Sequence, residues 1–173
     1  MATSLYDFSV ANYLQTLTGV SNVLDKGLKH LTAAGRDPDE FVGVRLAEDM
    51  LPFQFQIASV VHHSLGAIEG VKAGIFRPPP AMQPETYADL QAKVADTKAK
   101  LAALSRDEVN ALEGKDVVFH IGQAQMPFTA EGFILSFSLP NFYFHAATTY
   151  DILRTHGTPL GKRDFMGPPR MKG

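Results

Sequence analysis

The chain has 173 residues, 45% of them hydrophobic and 20% charged, with a formal charge of −2 and no cysteine. That length predicts a single domain over 1–173, burying roughly 70% of the surface its unfolded chain would expose, and the missing thiols exclude disulfides, thiolate nucleophiles, zinc ribbons and iron–sulfur clusters. A near-neutral balance without a nucleic-acid reading motif, a start that lacks a basic leader, and the absence of any run near 18 apolar residues predict a cytoplasmic protein without nucleic-acid or membrane partners.

In chain order, Val10, Tyr13, Leu14, Leu17, Val20, Leu24, Leu28 and Leu31 recur at spacings of three and four, which predicts a first long helix stopped at Gly35. Asp37-Pro38-Asp39-Glu40 supplies a capping acid and a Pro suited to a first turn, so a short helix follows to about Leu46. Asp49-Met50-Leu51-Pro52 is read as the cap of a second long helix reaching about Lys72, with Gly66, Gly70 and Gly74 on one face near its end. Arg77-Pro78-Pro79-Pro80 is a stiff connector.

Glu85 to Leu104 reads as a third long helix with Tyr87, Leu90, Val94, Leu101 and Leu104 inward, and Ser105-Arg106-Asp107-Glu108 as the capping box of a short helix to about Leu112. Val117–Ile121 and Gln125–Thr129 flank a Gly-containing turn and predict a small β-hairpin. The last helix starts near Thr129, is kinked or broken at Pro140 and runs to Gly157, and an irregular tail is expected over about 158–173. The fold class so predicted is all-α: a four-helix bundle with short extra helices and a small hairpin before the last helix.

Leu5-Tyr6, Asp49-Met50-Leu51-Pro52, the block Pro140-Asn141-Phe142-Tyr143-Phe144-His145 and Gly161-Lys162-Arg163-Asp164 together resemble the bacterial domain of unknown function 1993 family, which is related to the DinB/YfiT-like metalloenzymes. The resemblance spans roughly Leu5 to Gly167. It implies a DinB/YfiT-like bundle, often a homodimer, in which relatives hold a metal with one His from the second helix and a His-x-x-x-His pair from the fourth; some relatives are thiol-dependent transferases and isomerases. His145 matches the first member of that pair, whereas position 149 is Thr and no two of the six His are spaced by four.

Neutral imidazole suits Zn, Ni, Cu or Fe, and His145 with His63 from the second helix forms a candidate pair of ligands for a divalent metal, taken as Zn, Ni, Mn or Fe. Of the adjacent His62 and His63, whose directions differ by about 100°, at most one points inward. Asn141 lies one turn before His145, and Gln54 or Gln56 would line a polar ligand pocket if either faced it. Lys162, on a Gly- and Pro-constrained turn, either brings a cation to that pocket or belongs to a tail anchored by an ion pair of Arg163 or Asp164. No catalytic residue is assigned. Two readings remain open: a divalent-metal- or thiol-dependent enzyme, and a small-ligand-binding or stress-related interaction protein with a degenerate metal site.

Overall fold

The computed structural model describes residues 3–172, and its framework is helical. Two short helices, α1 (Leu5–Phe8) and α3 (Pro38–Phe41), flank the long α2 (Val10–Ala33); α4 (Phe53–His62) and α5 (Leu65–Ala73) follow, then α6 (Tyr87–Ala102) and α7 (Arg106–Asn110). After a hairpin come α8 (Ala130–Phe133), a π-helical turn (Ile134–Ser138), α9 (Leu139–Thr155) and α10 (Lys162–Met166). α2 packs against α6 and α9, and α4 packs against the same two helices from the other side. No helix among the described residues is long and apolar enough to cross a membrane.

Six of the eight residues read as a stripe along the first long helix form the buried face of α2, Val10, Tyr13, Leu17, Val20, Leu24 and Leu31 being at most 1% exposed, while Leu14 and Leu28 are half-buried. Gly35, in the left-handed region with φ +66°, lies just past the end of that helix. Thr86, whose side chain accepts from the Asp89 amide, caps α6 in a reciprocal capping box with Asp89. That helix is pinned further when the Tyr87 hydroxyl donates to the Leu24 carbonyl at 2.9 Å and its amide to Asp39 at 2.8 Å.

Four expectations are corrected. The short helix expected to reach about Leu46 ends at Phe41. Asp49 does not cap α4: Pro52 occupies the cap position without a side-chain bond, and the first amides, those of Phe53 and Gln54, donate to the Val44 and Val42 carbonyls at 2.7 and 3.0 Å. The loop after α3 thus does the capping with its own backbone. The second long helix is interrupted at His63–Ser64, where Ser64 leaves helical geometry (φ −113°, ψ −85°) and its hydroxyl turns back onto the Val60 carbonyl at 2.7 Å. The region expected to be an irregular tail contains α10.

The hairpin is present as β2 (Asp116–Ile121) and β3 (Ala124–Thr129), and a two-residue strand, β1 (Ile75–Phe76), joins it in parallel to give the order β1-β2-β3. Pro140 sits in the first turn of α9, where the ring is tolerated, so the irregularity falls before it, in the π-helical turn.

α10 lies along α2. Lys26 pairs with Asp164 at 2.6 Å, Asn22 also bonds Asp164, and Gln15 donates to the Met166 carbonyl at 3.2 Å. The backbones meet at two glycines: a side chain at Gly19 would overlap the Phe165 carbonyl, and one at Gly167, which has φ +64°, would overlap the Gln15 carbonyl. Because the obstacle at Gly19 is backbone, Gly19→Ala should release the segment after Gly157 and destabilise the chain by about 1–3 kcal/mol. Limited proteolysis with thermal denaturation checks this; cleavage and midpoint matching the native chain would contradict it.

Candidate functional site

The residues that the sequence marks as candidates divide between two sides of α4. Helical rotation turns Gln54 and Gln56 about 200° apart, so they cannot face the same neighbour. Gln54 turns to the connector, where its amide nitrogen donates to the Gln83 carbonyl and lies 3.4 Å from Glu85. Gln56 turns to α9 and accepts from His145 Nδ1 at 2.8 Å. His62 faces the connector side and its Nε2 bonds the Arg77 carbonyl at 2.8 Å, while His63, only 8% exposed, faces α9.

Gln56, His63 and His145 are therefore brought together. The rings of His63 and His145 lie nearly parallel, 13° apart with centroids separated by 6.1 Å. Phe55 and Phe144 meet the His145 ring edge-on at 5.7 and 5.3 Å, and Phe76 and Phe137 flank His63 at 5.6 and 5.7 Å. Asn141 sits one turn before His145 but directs its amide nitrogen to the Phe137 carbonyl at 2.7 Å. Lys162 is exposed at the start of α10, which packs on α2, and does not join the group. The ion pair in that segment is made by Asp164 with Lys26.

A chain of donors fixes how His145 presents itself. The amide nitrogen of Gln56 donates to the Leu51 carbonyl at 2.8 Å, and a carbonyl can only accept. The other end of the same amide is therefore the oxygen, so His145 Nδ1 must carry the proton that reaches it, and Nε2 keeps its lone pair. Burial favours the neutral ring, lowering His145 from 6.5 to about 4. Burial first, then the neighbouring His62 and His145, lowers His63 to about 3. His63 Nδ1 is buried and has no hydrogen-bond partner, an uncommon state for a polar atom in a folded interior.

The donor set does not make a three-histidine centre. Thr149 stands four residues after His145, fully buried, and its hydroxyl donates back to the His145 carbonyl at 2.9 Å. Among the described residues no group of three or more His, Asp or Glu side chains is placed to hold a metal ion. Nor is the pair part of the cleft of about 540 Å³ between α5, the connector and α6, which takes in His62. Polar groups in that cleft pair with one another, Glu85 with Lys93 and Asp96 with Lys100 at 2.5 and 2.7 Å, whereas His63 Nδ1 has no partner.

Sequence reasoning passed over Tyr13 and Ser138 as site residues. Both are fully buried, and they meet through their hydroxyls at 2.9 Å behind His63. Tyr13 carried only a core signal, and Ser138 carried none beyond its place ahead of Pro140.

A profile of the family described as domain of unknown function DUF1993 matches residues 5–166. No curated protein matches. The fold is similar to that of a DinB family member protein from Shewanella denitrificans solved by crystallography, with a TM-score of 0.80 and 22% identity over 98% of this chain and 95% of that one.

The buried rings give stability a pH dependence of definite sign. Unfolded, each imidazole binds a proton near 6.5; folded, His145 resists until about 4 and His63 until about 3. The unfolded chain then holds more protons in that window, so stability present at neutral pH is lost as pH falls below 6.5, by up to about 1.4 kcal/mol per pH unit for each ring. Thermal denaturation between about pH 7 and about pH 4 should show a steeper fall for the native chain than for the double variant His63→Phe, His145→Gln. Parallel curves would mean that the rings are not held neutral.

Proposed function

The chain belongs to the DUF1993 family, a domain of unknown function, and from the geometry of the imidazole pair we propose that it is a DinB-like four-helix-bundle protein that binds a small ligand between α4 and α9. In this reading α2, α4 with α5, α6 and α9 are the four helices of the bundle. The observation that carries the proposal is the unpartnered buried Nδ1 of His63 beside His145, whose proton is committed to Gln56. An interior polar atom without a partner costs about 1–3 kcal/mol, and a bound group that hydrogen-bonds to it removes that cost.

The side chains around the pair set the ligand's character. Phe55, Phe76, Phe137 and Phe144 supply apolar walls, His145 Nε2 supplies a hydrogen-bond acceptor, and His63 Nδ1 a free polar atom. No Lys, Arg, Asp or Glu takes part in the contacts described for these two rings, so a small uncharged molecule with apolar surface and a hydroxyl or N–H donor fits best. The homodimer expected for this family is retained as part of the reading, since Leu51, Tyr143 and Phe144 leave apolar surface exposed on α9 and at the start of α4.

A second reading has one specific support. Neutral imidazoles are also metal ligands, and Gln56 holds His145 through the nitrogen away from its free lone pair, as an outer partner of a metal-binding His does. A divalent Zn, Ni, Mn or Fe ion held by His63 and His145 would leave positions open to exogenous groups such as a thiol. Two protein ligands are fewer than the three usual for catalytic zinc, which ranks this reading below the first.

Elemental analysis of tag-free protein, with thermal-shift scans against the four metals and against phenol as a neutral donor probe, separates the two. Anything that binds only the folded state stabilises it, by roughly 2.7 kcal/mol at about 100 times its Kd. Phenol-dependent stabilisation lost in both His63→Ala and His145→Ala, without bound metal, is the outcome expected. Stoichiometric metal lost in both variants would replace the first reading with the second, and no response to either class would remove both.

A further inference from the structure

We propose that Ser138, oriented by Tyr13, is a positioning residue for His63, and that the π-helical turn over Ile134–Ser138 exists to deliver it. The proposal rests on the reading of His63 and His145 as a binding pair and adds the device that holds one of them in place.

The need for such a device follows from the break between α4 and α5. The carbonyls in the last turn of a helix have no partner within it, and His63 is the residue that closes α4. Its carbonyl lies in the interior, where a missing partner is costly. Ser138 provides the partner, its hydroxyl donating to the His63 carbonyl at 2.7 Å. Ser138 has one proton to give, so in the 2.9 Å contact with Tyr13 the phenol must be the donor. The direction of the chain is therefore Tyr13 to Ser138 to the His63 carbonyl, joining α2, the π-helical turn and α4.

The turn places two consecutive residues against the same histidine. Phe137 meets the His63 ring at 5.7 Å and 61°, while Ser138 takes its carbonyl. Ring and backbone of His63 are thus held from the same turn, one by an aromatic edge and the other by a hydrogen bond. The turn is itself fastened where Asn141 donates to the Phe137 carbonyl at 2.7 Å. π-Helical turns inside α-helices often occur at functional sites, and this one addresses the residue with the unpartnered nitrogen.

Imidazole NMR on the full chain without ligand tests the arrangement. The variants are Ser138→Ala, its hydroxyl-restoring counterpart Ser138→Thr, Tyr13→Phe, and Ser136→Ala as a control whose exposed hydroxyl bonds only the Gly132 carbonyl. Ser138→Ala should shift the His63 ring nitrogen resonances and remove the cross-relaxation between His63 and the Phe137 and His145 rings; Ser138→Thr should restore both, and Ser136→Ala should leave them in place. Unchanged His63 signals in Ser138→Ala, or an equal change in Ser136→Ala, overturns the proposal. If Ser138→Ala fails to fold, Tyr13→Phe decides by the same signals, since it removes the donor that orients Ser138, and unmoved His63 signals there also overturn it. These signals are read without ligand, so they stand apart from the phenol and metal scans, and a failure there leaves this result intact.

Discussion

The carbonyl of His63 is the constraint around which the site is arranged. A helix that stops in the interior leaves acceptors that water cannot reach, and the chain must bring a donor from elsewhere. Here the donor comes from a residue 75 positions away, Ser138, and the proton that completes it from Tyr13 on a third element. Satisfying one backbone oxygen thereby ties together α2, the break between α4 and α5, and the turn leading into α9. The imidazole pair is placed by the same choice, because His63 is the residue whose backbone is being satisfied.

Two hydrogen-bond chains converge on the pair from opposite sides. One runs from Tyr13 through Ser138 to the His63 backbone; the other runs from His145 through Gln56 to the Leu51 carbonyl. Each ends on a carbonyl, which fixes the direction of every proton along it. The Nδ1 of His63 is left without a protein partner, and the tautomer of His145 leaves a lone pair on its Nε2. With Thr149 turned to the His145 backbone, two imidazoles and no third ligand meet at the site among the described residues.

The parts of this architecture that repeat were legible in the sequence. The stripe from Val10 to Leu31, the Asp37-Pro38 start of α3 and the hairpin around Gly122 each leave a periodic or local signature. The parts that depend on distant partners were not. Nothing local marks the break at His63–Ser64, which contains neither Gly nor Pro, and β1 is two residues long. The Gly- and Pro-rich surroundings of α10 disguised a helix held by its docking on α2. At the site, the residue types of Gln56, His63, Asn141 and His145 suggested a polar group, but which glutamine faced α9 became clear only from the packing. Hydroxyl bonds such as Tyr13 to Ser138 have no sequence period, and the Leu51 carbonyl is backbone that any residue would supply.

The docking of α10 along α2 also has a kinetic side. The contacts between Gln15 and Met166 and between Lys26 and Asp164 join positions 151 and 138 residues apart, so they close very long loops. Contacts of that separation contribute to slow folding, since their entropy must be spent before any neighbour rewards it. During synthesis α2 emerges long before α10, and its seat at Gly19 stays empty until α10 has been made. Arg170 extends the docking to the Asp7 carbonyl and the Asn12 side chain, so the segment from α10 to Arg170 is laid as one strap across α1 and α2.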